Sequence, residues 1–235
     1  MVDFHTHILP GIDDGSRDIG ESIRMLEEES EQGVQMVLAT PHFYAHRDTV
    51  SDFLRRREES WMCLQKEMQD KGISLPIIKG AEVYYFPDMG KAKQLSRLCM
   101  EEKSILLLEL PFVQWTESIL SDVRNLIEKQ KFTVLLAHVE RYYSFQKNKK
   151  IWKQMFQLPL YAQFNAGGFE KRKKRKIMES LFSSDIPFVL GSDCHNMQQR
   201  LPNLQQGREY LYDLYGDQLL AKIEETEERL LGRHE

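Results

Sequence analysis

An α/β fold built on parallel strands and closed towards a barrel is predicted by three observations. Seven short apolar runs, Val2–Phe4, Gln35–Ala39, Leu75–Lys79, Ser104–Leu108, Phe132–Ala137, Leu160–Phe164 and Pro187–Leu190, alternate with longer amphipathic segments. That is the order expected of strands joined by right-handed helical crossovers. Residue types suited to metal ligation stand at the C-terminal ends of six of these strands: His5 and His7, His42, Glu82, Glu109, His138, and Asp193 with His195. An open sheet would spread them apart, whereas a barrel gathers them on one rim. No shift in composition marks a linker, so residues 1–235 are expected to form one domain.

Each element has a local reason. The first run ends in His5-Thr6-His7, and residues two apart on a strand point to the same side, so both imidazoles face one direction. Asp18 with Glu21 three residues on resembles a capping box; Ile19, Ile23 and Leu26 supply an apolar face, and Gly33 a stop. A second helix is expected from near Ser51 to Gly72, with Leu54, Trp61, Leu64 and Met68 along one stripe. Helical patterns also fit Glu117–Lys131, Glu170–Ser183 and Asn203–Tyr215, while the charged Asp217–Leu231 is expected to pack on the outside.

Composition narrows the partners. A chain of 235 residues, 41% hydrophobic, can bury a sizeable core. A formal net charge of -4 and a pI of about 6.0 give no global field favouring nucleic acid or anionic membranes. No stretch approaches the ~18 apolar residues of a membrane span, and the first residues lack a signal pattern, so a cytoplasmic protein is expected. Cys63, Cys99 and Cys194 are too few and too scattered for a disulfide framework. Cys194 to Arg200 does fit C-x5-R, the spacing of thiolate phosphatases. The loop nevertheless contains no glycine and continues with Leu201 rather than Ser or Thr, which argues against that chemistry.

Any one strand-end histidine is more often a satisfied core or loop residue than a ligand. Five of them, His5, His7, His42, His138 and His195, together with the carboxylates Asp14, Glu82, Glu109 and Asp193, fit that bland reading poorly. Glu109, directly after the apolar SILLL, would be costly to bury as an unpaired charge, so a nearby cation is expected. Mixed imidazole and carboxylate ligation suits Mn, Fe or Zn better than Ca or Mg, and nine ligands exceed the needs of one ion.

The phrases HTHILPGIDDG, ATPH, GAEVY, LLELP, AHVERY and GSDCH, in this order along nearly the whole chain, resemble the PHP superfamily. Within it they are similar to the bacterial tyrosine-protein phosphatases of capsule and exopolysaccharide operons, the CpsB/YwqE type. The resemblance implies a distorted (β/α)7 barrel and three divalent ions, with Mn2+ expected and Fe or Zn as alternatives. It implies His5, His7, Glu82 and Asp193 around the first ion, Glu82 bridging to a second held by Glu109 and His138, and Asp14, His42 and His195 around the third. It also assigns phosphate binding to Arg141 and Arg200, whose planar forks suit that role. Three divalent ions outweigh the four carboxylates and leave a cationic site for a phosphomonoester. The implied activity is hydrolysis of phosphotyrosine on the tail of a bacterial tyrosine autokinase that regulates polysaccharide assembly. A phenol of pKa ~10 leaves readily, so a dedicated general acid is dispensable. Two rival readings are histidinol-phosphate phosphatase, against which Asp14 and Glu109 stand where that branch tends to have histidines, and a catalytically silent metal-stabilised interaction module.

Weaker signals remain. The run Glu170–Lys176 reads as a solvated helix start or as a dock for acidic tails. Tyr84, Tyr85 and Phe86 could flank an aromatic substrate or simply pack over the rim. His46 reads as a loop residue near the mouth, and His234 as tail.

Overall fold

The computed structural model describes residues 1–101, 103–169, 172–182 and 186–232. Its strands are β1 (Val2–Thr6), β2 (Met36–Ala39), β3 (His42–Phe43), β4 (Ile77–Lys79), β5 (Glu82–Tyr84), β6 (Ile105–Glu109), β7 (Thr133–Leu136), β8 (Tyr161–Asn165) and β9 (Phe188–Gly191). Its helices are α1 (Ile19–Glu31), α2 (Val50–Lys71), α3 (Glu117–Glu128), α4 (Lys149–Met155), α5 (Arg172–Phe182), α6 (Leu204–Tyr215) and α7 (Asp217–Leu231).

All strand pairs are parallel, in one sheet of order β1-β2-β4 and another of order β3-β5-β6-β7-β8-β9. The seven expected strands are therefore present, and two short unexpected ones, β3 and β5, continue the second and third past Ala39 and Lys79 after a break. The second breaks into β2 and β3 at Thr40-Pro41, because proline has no N–H to give the ladder. The third breaks into β4 and β5 at Gly80-Ala81. The Glu82 amide bonds the carbonyl of Pro41 at 3.0 Å, and the resulting β3–β5 register sets His42 directly beside Glu82. Between β1 and the segment after β9 there is an isolated parallel bridge, Thr6 to Cys194. The His7 amide donates to the Cys194 carbonyl at 2.9 Å, and the Asp193 amide to the His5 carbonyl at 2.8 Å.

Strand alternation sorts the core into two clusters. Val2, Phe4, Leu38, Ile105, Leu107, Leu135, Ala137 and Val189 pack together with Leu230 and Leu231. The other strand faces pack beneath the helices. Here α7 departs from expectation: most of its charged residues face out, but Glu227 is buried and the last turn inserts two leucines into a strand cluster, burying apolar area that would otherwise be exposed.

The helix ends follow sequence chemistry. Asp18 caps α1 by accepting the Glu21 amide at 2.8 Å, while Glu21 Oε2 accepts from the Arg17 amide at 3.0 Å, one residue earlier than a capping box requires. Gly72 ends α2 at φ 70°. The buried stripe of α2 is Phe53, Arg57, Leu64 and Met68, with Leu54 and Trp61 only half-buried. Arg57 earns its place inside by donating to the Gly80 carbonyl at 2.7 Å, at the break between β4 and β5. The short α4 was not legible as a helix. The helix expected over Glu170–Ser183 is seen as α5, and Glu170, Lys171, Ser183 and His234 lie outside the described residues. No helix among the described residues is long and apolar enough to cross a membrane.

Candidate metal centre

His5 sits within β1, and His7 just beyond it; their Nε2 atoms are 3.1 Å apart, on one side as strand periodicity requires. The loop Pro10–Gly15 returns across His7 because Gly15 has no side chain: a Cβ there would lie 2.4 Å from the His7 carbonyl oxygen. Gly191, at the end of β9, similarly lets His5 approach, since a Cβ would come within 2.6 Å of the His5 Cβ.

Glu82, at the start of β5 and fully buried, is the centre of the cluster. Its Oε2 lies 3.1 Å from His5 Nε2, 3.3 Å from His7 Nε2 and 3.0 Å from His42 Nδ1. Its Oε1 accepts from His138 Nε2 at 2.8 Å, and the same nitrogen lies 3.5 Å from Glu109 Oε1. Asp193 Oδ1 is 3.6 Å from His5 and 3.5 Å from His7. Asp14, with its side chain 68% exposed, reaches in from solvent to 3.5 Å from His42 Nε2 and 3.7 Å from His195 Nε2. All nine expected residues thus converge on one site.

Among the described residues, donor atoms close enough to share an ion fall into three sets: His5, His7, Glu82 and Asp193; His7, Asp14, His42 and His195; and His42, Glu82 and Glu109. The first set has the membership expected. The second adds His7, and the third has His42 where His138 was expected. The cause is the two-sided Glu82 carboxylate, which faces His42 through one oxygen and His138 through the other.

The donor chemistry fits cations. Glu82 Oε2, His42 Nδ1 and His195 Nε2 are buried without a hydrogen-bond partner, a costly arrangement unless something else engages them. Burial would raise the Glu82 carboxyl, but His5, His42 and His138 overcome this and hold it well below the usual range. Burial, His7 and Arg200 together push His195 down to about 3, so its lone pair is available at neutral pH. Burial opposes the charge on His7, but Asp13 and Glu82 prevail and lift it to about 10. The backbone is strained here too: His138 (φ 30°) and Asp193 (φ 54°) are two of four non-glycine residues with left-handed φ among the described residues.

Arg141 Nη1 lies 3.5 Å from Asp193 Oδ2, and Arg200 Nη2 lies 2.6 Å from Asp193 Oδ1. Both guanidiniums remain more than a third exposed, so they are open to an anion at the mouth. A cleft of about 700 Å³ adjoins the site through Asp14, His42, Tyr44 and Arg47. Another of about 410 Å³ adjoins it through Asn165, Asp193 and Arg200.

Three supporting residues escaped sequence reasoning. Asp13 Oδ2 lies 2.7 Å from His7 Nδ1 and accepts the His42 amide at 2.8 Å. Gln163 Oε1 lies 2.9 Å from His5 Nδ1 and accepts the His138 amide at 2.7 Å. Asn165 Nδ2 donates to Asp193 Oδ2 at 2.7 Å. Each fixes a ring or carboxylate from behind, the role that outer partners play around metal ligands. The Asp-Asp pair in GIDDG was the only signal available for Asp13. Of the weaker candidates, Tyr84 lies beside Tyr44 at 5.6 Å, Tyr85 instead donates to Asp122 at 2.9 Å, and Phe86 packs on the core. His46 is exposed near Tyr44.

A family model described as capsular polysaccharide synthesis, CpsB/CapC, matches residues 1–230. The chain is 29% identical over 231 residues to the tyrosine-protein phosphatase CpsB of Streptococcus pneumoniae, covering 92% of this chain and 91% of that protein. It is 27% identical over 244 residues to the tyrosine-protein phosphatase YwqE of Bacillus subtilis strain 168, covering 98% and 91%. A solved structure from the pair YwqE of Bacillus subtilis and CpsB of Streptococcus pneumoniae, described as metal-dependent tyrosine phosphatases, superposes with TM-score 0.85 at 24% identity, covering 100% of this chain and 96% of that one. A presumed histidinol phosphatase of Listeria monocytogenes shares the fold more distantly, with TM-score 0.52 at 14% identity over 92% of this chain and 100% of that one.

Proposed function

This chain belongs to the CpsB/CapC family of capsular polysaccharide synthesis, and from that premise we propose that it is a metal-dependent protein-tyrosine phosphatase. The observation that carries the reading is the convergence of nine donor residues beneath two half-buried arginines that meet at one carboxylate, Asp193. The substrate is a phosphotyrosine protein, and the family's part in capsule synthesis favours the tail of a tyrosine kinase in that system. The whole chain acts as one cytoplasmic domain. Its two sheets, with the Thr6 to Cys194 bridge, read as a distorted seven-stranded barrel.

We read His5, His7, Asp14, His42, Glu82, Glu109, His138, Asp193 and His195 as holding three divalent ions, Mn2+ foremost. Bound there, the ions would supply Lewis acidity and activate water for in-line attack on phosphorus. The chain's residues prepare that event. Asp13 and Gln163 fix the rings of His7 and His5, Asn165 and both arginines hold Asp193, and the arginines present their remaining N–H groups to the equatorial phosphate oxygens.

The test is turnover of a phosphotyrosine peptide against histidinol phosphate, before and after EDTA. Hydrolysis of the peptide, loss with chelator and recovery with Mn2+, alongside about three bound ions by elemental analysis, is the expected outcome. Preference for histidinol phosphate, or activity indifferent to EDTA in a metal-free protein, would reject it; absence of any turnover would favour the silent module.

The arginines make a separate prediction. Arg141→Ala and Arg200→Ala should each lower kcat/KM by about tenfold or more, ~1.4 kcal/mol, with metal content unchanged. Wild-type kinetics in both would return these residues to the ordinary surface.

A further inference from the structure

We infer that Phe112, Val113 and Phe145 form the wall on which the aryl ring of the phosphotyrosine lies. This rests on the phosphatase reading above and assigns its aromatic selectivity to one side of the mouth. After β6 ends at Glu109, Leu110-Pro111 carry the chain outward to Phe112. Its ring lies 5.8 Å from that of His138, inclined by 23°, 5.3 Å from the buried Tyr142 ring and 5.8 Å from Phe145. The aromatic surface therefore runs without a break from a candidate metal ligand to solvent.

Arg141 joins this surface to the anion site. Its Cζ lies 4.7 Å from the Phe112 centroid while its Nη1 lies 3.5 Å from Asp193. An oxyanion gripped by Arg141 consequently has the Phe112 ring beside it, and a phenyl group carried on that phosphate meets an apolar face on leaving the site. Beyond Phe112, Val113 is 53% and Phe145 43% exposed, and Leu201, which follows Arg200, is 40% exposed. Three of the seven large exposed hydrophobics among the described residues thus lie in contact with Phe112 or next in sequence to Phe112 or Arg200, and apolar surface left in water has a use if a ligand covers it.

The opposite side of the mouth is a poorer host. Tyr44, 5.2 Å from His42, carries Arg47 over its ring at 4.8 Å much as Phe112 carries Arg141, so the difference between the two sides lies in what surrounds the ring. Apart from Ile12, His42 and Tyr44, the cleft there is lined by charged side chains, among them Asp14, Arg47 and Arg56. Apolar matching accordingly favours the Phe112 side, where ring-on-ring contact adds to burial.

The experiment uses the full chain loaded with Mn2+ and a peptide carrying one phosphotyrosine. Val113→Ser combined with Phe145→Ala, two exposed positions, should raise KM about fivefold or more with kcat within about twofold. Inhibition by inorganic phosphate, which has no ring, should be unchanged. Phe112→Leu, which keeps apolar volume but removes the ring, should move KM in the same direction, and Tyr212→Ala, an exposed aromatic on α6, should not move it. An unchanged KM in the double variant would overturn the inference, whether or not Phe112→Leu folds. Weakening of phosphate in step with the peptide would also overturn it, because the residues would then act through Arg141. A wild-type protein inert towards phosphotyrosine would instead reject the phosphatase reading itself.

Discussion

His195→Ala should abolish nearly all turnover, whereas Cys194→Ser, one residue away, should keep most of it. The two side chains point into different surroundings. Cys194 is fully buried with Sγ 3.8 Å from Glu29 Oε1, and burial, Glu29 and Asp3 push its thiol well above the usual range, the opposite of an activated nucleophile. The C-x5-R loop is also spent internally. The His195 and Asn196 amides bond the Arg200 carbonyl at 2.8 and 3.2 Å, and the amides of Gln198, Gln199 and Arg200 bond Asn196 Oδ1. Those amides are therefore committed and cannot cradle a phosphate. Serine at 194 can still donate to Glu29, so the variant should fold, retain its metals and, like the wild type, resist iodoacetamide. Alanine at 195 removes a neutral donor facing Asp14 and, on the proposed assignment, would cost the ion held there; kcat/KM should fall about a thousandfold, ~4 kcal/mol, with lower metal occupancy. An inactive serine variant that holds its metals, beside an active alanine variant, would reverse this assignment.

What the sequence revealed and what it hid have separable causes. The seven apolar runs were readable because strands buried on both faces are apolar throughout, as in Ile105–Glu109 with its single terminal charge. The interruptions at Thr40-Pro41 and Gly80-Ala81 were not, because His42–Phe43 and Glu82–Tyr84 are too short to show a period. Side-chain direction in irregular backbone was equally hidden. GIDDG offers two adjacent aspartates; Asp13 turns in to His7 while Asp14 stays largely in solvent, a division set by the loop's path over Gly15. Gln163 and Asn165 gave no signal because a neutral amide is not itself a metal-ligand type, and their role arises only when β8 is laid beside β7 and β9. In α2, Leu64 and Met68 lie on the buried face as expected, but Leu54 and Trp61 give way there to Phe53 and an arginine, Arg57. Burial preference excludes such a residue, and its contacts with the Gly80 carbonyl and Glu101, invisible in the sequence, are what accommodate it.

Glu82→Gln should be the most damaging isosteric change in the molecule. The carboxylate lies within 3.3 Å of His5, His7, His42 and His138, with Oε1 bonded to His138 and Oε2 facing the other three, so it joins donor sets that otherwise sit on different strands. An amide preserves the volume but removes the negative charge and replaces one acceptor with N–H donors directed at imidazole nitrogens. It would disfavour divalent ions on both counts. More than one ion should be lost, and kcat should fall about ten-thousandfold, ~5.5 kcal/mol. Thermal unfolding separates this cause from simple misfolding. Ions that bind only the folded chain raise Tm by mass action, so added Mn2+ should raise the Tm of the wild type and leave that of Glu82→Gln nearly unmoved. A folded variant that took up a full complement of metal and turned over near the wild-type rate would show that Glu82 does not join the sets, and the metal assignment built around it would fall.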